Sequence, residues 1–450
     1  MKKNIIILAS ICIICMPFSI LSAQNKYTLE ECRELALKNN IKIRSAKIDI
    51  ESAQAQENDA KAAYFPTVMG GATYFHATDD IMKEKISLSS EDQAKIGETI
   101  TALGLDVSAL GNLPSEYTFG MIQHGTFVNL MALEPIYAGG KITAANKLAR
   151  LQTNVKKLQL EQSENDVRQT VERYYWQLVS LYEKVKTLDA AEEQLRSIKK
   201  DADNAVDAGV ALKNDQLTVQ LKLNEIEANR LKINNAIRLS KMLLGQYTGT
   251  GEADVVVTNA YDIAEPASLL IPTDEALMQR VETQMLDKNV EAQQLQKKMK
   301  QGERLPTVAV GGVAMYQDMT SIGKTKVIGM ATISVPISEW WSNSGVKRQN
   351  LAIQKAKEER EDNLQLMRIQ MQSAYDNLDA AYQQVQIAYK SIEQSEENLR
   401  MNRDFYQAGT SGMSDLLDAQ TQNQKAKDQL TDAVIEYQNA KTAYLVVTGR

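Results

Sequence analysis

The sequence predicts a mainly α-helical chain with a small membrane-crossing β part, built twice over, and three observations carry that expectation. The first is an internal repeat. Val167, Val171, Tyr174, Leu178, Leu181, Val185 and Leu188 recur 200 positions later as Met367, Met371, Ala374, Leu378, Ala381, Val385 and Ala388. Steps of four and three mark a long helix with one narrow apolar seam. The second is a pair of extended segments: Pro66-Thr67-Val68 and Pro306-Thr307-Val308 open VMGGATYF and VAVGGVAMYQ. Proline ends a helix, and small and β-branched residues favour extended chain after it. The third is composition, with 24% charged residues, only 8 prolines in 450 and no Pro/Gly/Ser-rich interior linker. Narrow seams and few apolar residues suit paired long helices better than one large core.

Taken in order, Met1-Lys2-Lys3, an apolar run from Ile5 to Ile20 and Leu21-Ser22-Ala23 fit a secretory signal peptide over residues 1–23. Loss of Lys2 and Lys3 takes the net charge from −6 to −8, which argues against a nucleic-acid partner. Of the three cysteines only Cys32 survives processing, so no intramolecular disulfide forms. Beyond the signal no stretch approaches the roughly 18 apolar residues of a membrane-spanning helix, so contact with a bilayer interior would need β-strands.

The first repeat spans 24–250. Thr28-Leu29-Glu30-Glu31 is a capping box that opens a helix ending before Pro66. A strand hairpin over 66–137 follows, interrupted by an insertion from His76 to Gln123 with a weakly helical stretch near Ile100 to Leu110. From Gly140 to about Asp207 the helical pattern runs unbroken, on the order of 100 Å at 1.5 Å per residue. Gly209 closes it in a left-handed turn, and a second helix begins near Asn214-Asp215 with cap-forming side chains. A linker covers 251–272. The second repeat, 273–450, opens at Thr273-Asp274-Glu275 and carries a strand hairpin over 306–338. Its long helix runs from Gly345, its tip turn holds Gly409 and Gly412, and its last helix begins near Ser414-Asp415.

The four strands, of about 10 to 12 residues, have the length of membrane-crossing β-strands. Ala331, Ile333 and Val335 alternate with Thr332 and Ser334, whereas the other three strands alternate poorly. Tyr74, Phe75, Phe127 and Tyr316 would form one aromatic girdle, with Trp340 and Trp341 at the other rim, in contact with outer-membrane lipid. A soluble two-hairpin sheet packed on the helices has the same spacing. In a membrane four strands cannot close, and an open edge in lipid is forbidden, so copies must share a barrel. Two copies give eight strands and a filled interior, while three give twelve and an aqueous passage, so a homotrimer is expected.

The doubled helix-hairpin order, the Pro-led strands and the stretch YQAGTSGMSDLLDAQTQNQKAKDQLTDAVIEYQNAKTAYLVVTG from Tyr406 together resemble the TolC-like outer-membrane efflux family over nearly all of the mature chain. That resemblance implies a trimeric twelve-stranded β-barrel in the outer membrane of a Gram-negative bacterium, continued by a periplasmic α-helical barrel. It also implies a passive exit duct of a tripartite efflux or type I secretion system, which works with a periplasmic adaptor protein and an inner-membrane transporter to export solutes or polypeptides, with no catalytic activity and no cofactor. By the same likeness Asp415 and Asp418 match the acids that constrict the closed periplasmic gate. Residues three apart share a helix face, so three copies can set six carboxylates around one axis. The competing view is that both acids complement the N-terminal dipole of the last helix. Tyr406 and Asp215 match a hydroxyl-to-carboxylate latch between hairpins, and Ser411 stands where the family's best-known member carries an arginine in a second latch.

No phosphate loop, nucleophile elbow or zinc-binding helix motif appears, and His76 and His124, the only histidines, lack further ligands at suitable spacing, so neither an enzyme nor a metal site is expected. A secreted trimeric coiled-coil adhesin would explain the seams, but not the strands that interrupt them at matched places.

Overall fold

The computed structural model describes residues 26–103, 116–120, 122–257, 261–318, 323–341 and 344–450, so the signal peptide expected over 1–23 lies outside them. The first half contains β1 (Lys26–Tyr27), α1 (Leu29–Asn39), α2 (Ile41–Ala62), β2 (Thr67–His76), β3 (Lys83–Ser87), α3 (Ser90–Ala102), β4 (Glu116–Gly120), β5 (His124–Ala138), α4 (Lys141–Asp207) and α5 (Lys213–Thr248). The second contains β6 (Asp254–Val255), α6 (Thr273–Gln279), α7 (Val281–Gly302), β7 (Thr307–Asp318), β8 (Lys324–Ser334), α8 (Ile337–Trp341), α9 (Ser344–Gln407) and α10 (Met413–Val447). The described elements fall into two compact units.

One unit gathers the chain up to Asp49 with Lys157–Met285 and Glu361–Arg450. Its helices lie side by side in the order α5, α4, α10, α9, because each seam needs an apolar neighbour. Val167, Val171 and Leu178 of α4 pack with Leu244 of α5 and Ile435 of α10. Leu378, Ala381 and Val385 of α9 pack with Val434, Tyr437 and Ala440 of α10. The seam read from the sequence is therefore the buried seam in both repeats, with Leu178 and Leu378 both fully buried.

The capping box at Thr28 forms as expected: its hydroxyl accepts from the Glu31 N–H at 3.3 Å, and Glu31 accepts from the Thr28 N–H at 2.8 Å. The counterpart differs, since Pro272 takes the cap position without a side-chain bond and Thr273 is already helical. Each of these helices, read from sequence as continuous, breaks once, at Asn40 and at Arg280, where the backbone turns extended. Tertiary packing helps set the breaks, because Gly249 and Gly449, both at positive φ, press their backbones against Asn39 and against Gln279-Arg280. A Cβ at Gly249 would stand 2.6 Å from that of Asn39.

The segment after α5 is pinned by the repeated tyrosines. The Tyr175 hydroxyl donates to the Val256 carbonyl at 2.8 Å and the Tyr182 hydroxyl to Asp254 at 2.6 Å. In the second repeat Tyr375 instead packs edgewise on Tyr444 and Tyr382 lies tilted against Tyr437, and the Tyr437 hydroxyl donates to the Ala264 carbonyl at 2.7 Å. β6 pairs in parallel with β1, which joins the segment to the start of the chain. Among the described residues no helix is long and apolar enough to cross a membrane.

The other unit holds Ile50–Lys156 and Leu286–Arg360. Its sheet has the order β2-β5-β7-β8, antiparallel throughout, so the two expected hairpins lie edge to edge. β5 is longer than expected because it starts at His124 rather than Phe127, where it pairs with the end of β2, and it passes Pro135 with a bulge between Pro135 and Tyr137. β2 begins opposite Leu133, so on that side nothing in the sheet needs the N–H that proline lacks. β8 ends at Ser334, short of the expected 338, and Trp340-Trp341 lie in α8. The insertion after β2 contains a hairpin of its own, β3 with β4, which sequence reading did not expect. Its helix α3 starts at Ser90, earlier than the expected stretch, of which 104–110 lies outside the described residues.

Asp254 is buried, and burial alone would raise its pKa. Donation by Tyr182, Lys241 and the Val255 N–H outweighs that and holds it below the usual carboxylate value. A depressed acid adds stability that is complete above the ordinary value and is lost as pH falls through the lower folded one. Thermal stability of the wild type is therefore expected to decline from about pH 4 downward. Asp254→Asn is expected to start lower at pH 7 and respond less to acid, as measured by calorimetry across pH 2 to 7.

Candidate functional site

The tips of the two long hairpins carry the residues singled out in the sequence. Each long helix ends in the same turn. The Gly209 N–H meets the Val206 carbonyl at 2.9 Å and the Val210 N–H meets Ala205 at 2.9 Å. Gly409 meets Tyr406 at 3.0 Å and Thr410 meets Phe405 at 3.0 Å. The turn needs φ of +75° at Gly209 and +70° at Gly409, which side chains disfavour. Gly412 is different: its φ of −82° is open to any residue, so it is not required as a glycine.

The expected caps are corrected as well. α5 begins behind Leu212 and α10 behind Gly412, neither with a side-chain cap from the residue itself, and Asn214 and Ser414 already lie inside their helices. Asp415, in the first turn of α10, accepts from the Gly412 N–H at 3.3 Å and from the Ser411 hydroxyl at 2.7 Å. Ser411 thus holds the carboxylate next to it. Asp415 and Asp418 are exposed, while Met413, Leu416 and Leu417 between and beside them are buried against Leu188, Leu195 and Ile198 of α4. The apolar residues turn α10 so that both acids face away from the packed helices.

Tyr406 packs half-buried on the same apolar cluster. Burial pushes its hydroxyl pKa up, and the carboxylates of Asp215 and Asp201 on the first hairpin push it further. The hydroxyl therefore stays protonated, but the expected latch does not form here: no hydrogen bond joins Tyr406 to Asp215 among the described residues. A link that sequence reasoning missed does join the hairpins here: the Arg403 guanidinium donates to the Ser197 hydroxyl at 3.2 Å. Nothing in the seam periodicity marks Arg403, because it lies off the apolar face.

In the sheet, cross-strand partners share a face, and the register separates the residues cleanly. One face carries Val68, Gly70, Ala72 and Tyr74 of β2, with Val128, Leu130 and Ala132 of β5. It continues through Val308, Val310, Gly312, Ala314 and Tyr316 of β7 to Val327, Gly329, Ala331 and Ile333 of β8. Val327 is 77% and Ile333 69% exposed, so this apolar face is bare. The opposite face mixes Thr67, Thr73, Asn129, Gln317, Thr332 and Ser334 with Met and Val.

Of the proposed girdle, Tyr74 and Tyr316 lie on the apolar face at one end. Phe75 and Phe127 project from the other face, Phe75 lying over Gly125. Exposed Tyr137 joins the apolar face at the opposite end, where exposed Trp340 and Trp341 follow β8. His76 and His124 prove to be direct cross-strand partners. Among the described residues no group of three or more His, Cys, Asp or Glu could hold a metal ion. Cys32 is fully buried, which pushes its thiol to about 12 and leaves it unreactive, with Glu31 adding to the effect.

The sequence profile described as "Outer membrane efflux protein" matches residues 32–250 and 273–450. The fold is similar to the outer membrane protein VceC from Vibrio cholerae, with a TM-score of 0.71 at 16% identity over 94% of this chain and 96% of that one. It is similar to the CmeC outer membrane channel of Campylobacter jejuni, with a TM-score of 0.71 at 16% identity over 94% and 85% of the two chains. It is also similar to the MtrE outer membrane channel of Neisseria gonorrhoeae in its open state, with a TM-score of 0.69 at 14% identity over 94% and 88%. No curated protein sequence matches.

A side chain at the tip turn costs about 1–2 kcal/mol in the left-handed conformation. Gly409→Ala is therefore expected to speed amide exchange of the α9–α10 turn by roughly 5- to 30-fold and leave that of the Gly209 turn unchanged, read by peptide-resolved hydrogen exchange.

Proposed function

Because the chain belongs to the outer membrane efflux protein family, we propose that three copies close into one duct, gated at the helix tips and served by a periplasmic adaptor and an inner-membrane transporter. As a member it is an outer-membrane channel subunit of an efflux system. The observation that carries the trimer is the four-stranded sheet with one bare apolar face and two unpaired edges, β2 and β8. In hydrocarbon every backbone N–H and C=O must be bonded within protein, so those edges pair with other copies. Twelve strands from three chains leave an aqueous passage, whereas eight are filled by side chains.

The helices support the same closure. The outermost members of their row, α5 and α9, each keep a second apolar stripe that is bare among the described residues. On α5 it runs through Leu217, Leu221, Leu231, Leu239 and Met242, and on α9 through Leu366, Ile369, Ile387 and Met401, all exposed. α5 runs away from the tips and α9 toward them, so α9 of one copy meets α5 of the next as an antiparallel neighbour. That continues the alternation already present within the chain.

At the tips, three copies would set six exposed carboxylates, Asp415 and Asp418 of each, around one axis. Such a ring repels itself and attracts cations, so it favours opening once the links holding the hairpins loosen. Tyr406 with Asp215, and Arg403 with Ser197, are the links proposed to hold the closed state. Solute passes by diffusion, and the energy for export comes from the inner-membrane partner. The aromatics Tyr74 and Tyr316 at one end of the apolar face, and Tyr137, Trp340 and Trp341 at the other, support a girdle at each rim of a lipid-facing barrel.

In detergent the mature protein is expected to sediment as a trimer, and Leu221→Lys with Leu231→Lys is expected to release monomers. A wild-type monomer in analytical ultracentrifugation would end the proposal. In planar bilayers, Tyr406→Phe is expected to raise single-channel current, and an unchanged current would remove it from the latch. A multivalent cation added on the tip side should block wild-type current, and Asp415→Asn with Asp418→Asn should weaken that block at least tenfold.

A further inference from the structure

The four strands of the main sheet carry four charged residues, Glu134, Asp318, Lys324 and Lys326. The register sorts them completely by sign. Glu134 stands opposite Val310, and Asp318 is two positions beyond Tyr316, so both acids lie on the face that is apolar along its middle. Lys324 stands opposite Gln317 and Lys326 opposite Met315, which puts both lysines on the mixed polar face with Asn129, Thr73 and Thr332. The lysines follow each other on the same side of β8, about 7 Å apart along the strand, at the end of the sheet that also carries Tyr74 and Tyr316. Both are exposed, and no carboxylate of the four strands shares their face. Among the four strands, this face of an acidic chain thus carries only cations.

We propose that Lys324 and Lys326 line the water-filled side of the barrel and form a cationic ring at its outer end that draws anions, or anionic groups of a solute, into the exit. This rests on the trimeric duct proposed above: with the apolar face turned to lipid, the mixed face turns to the passage, and three copies supply six ammonium groups. Low-dielectric walls focus the field of such a ring and raise the local concentration of counter-ions. The competing role for lysine on an outermost strand is to guard its edge against wrong pairing, which would leave ion selectivity untouched.

The full-length oligomer in planar bilayers, under a tenfold KCl gradient, gives the permeability ratio of chloride to potassium from its reversal potential. Lys324→Glu with Lys326→Glu is expected to shift that ratio at least threefold toward potassium, and the paired Lys→Gln variant is expected to shift it less. An open channel with an unchanged ratio in both variants would overturn the assignment. A second arm uses the folded channel itself. Lys326→Cys is opened in the bilayer and treated with a sulfonate-bearing and then, separately, an ammonium-bearing thiosulfonate, with the wild type and its buried Cys32 as control. Opposite shifts in selectivity support a side chain in the passage, and no response to either reagent overturns it. A folded oligomer that conducts no current either as wild type or with the latch removed in Tyr406→Phe would overturn the duct itself, and the lysine ring with it.

Discussion

Hydrocarbon offers no partner for a peptide N–H or C=O, and that single fact governs the architecture of this chain. A sheet whose apolar face is bare over Val327, Ile333, Val68 and Leu130 suits lipid, yet its outer strands β2 and β8 end in open rows of backbone groups. Those groups are too costly to leave unpaired in a bilayer, so each copy is complete only beside another. The long helices meet the same demand by a different force. In water, α5 and α9 keep apolar stripes that other copies would cover in the proposed trimer, through the hydrophobic effect rather than hydrogen bonding.

The duplicated sequence has been put to two uses. Positions that close the helix row, such as Leu178 and Leu378, keep the same task in each half. Positions that meet the segment after α5 do not. Tyr182 holds Asp254 through a hydrogen bond, whereas Tyr382 lies tilted against Tyr437, which itself reaches the Ala264 carbonyl. One segment lies against both halves but runs through only once, so two equivalent sites meet different stretches of it. The tips show a similar divergence. The two turns share their glycines and backbone bonds, but only the second hairpin carries the acid pair and the Ser411 hydroxyl that holds Asp415.

Arg403 and Ser197 illustrate why part of the site could not be read in advance. A seam residue announces itself by spacing, because the same face is apolar every three or four positions. A polar side chain that bridges two hairpins is one residue on one helix and one on another, with no periodicity to mark it. Ser411 was legible as a departure, and what it does instead emerged only from the distance to Asp415.

The spans of the two long helices, the glycines that end them and the prolines that precede β2 and β7 were set by the sequence alone, because each depends on a few neighbouring residues and on backbone sterics. Seam residues were equally legible, since a helix repeats its face within seven positions. Which side of the sheet is apolar was decided by tertiary structure: strand side chains alternate every residue, and small residues such as Gly70, Ala72, Gly312 and Ala314 blur that alternation until cross-strand partners align it. The breaks at Asn40 and Arg280 draw on more than local sequence: Asn40 caps the next helix by accepting from the Lys42 N–H at 2.9 Å, but the backbones of Gly249 and Gly449, more than 160 residues away in sequence, also press on Asn39 and on Gln279-Arg280.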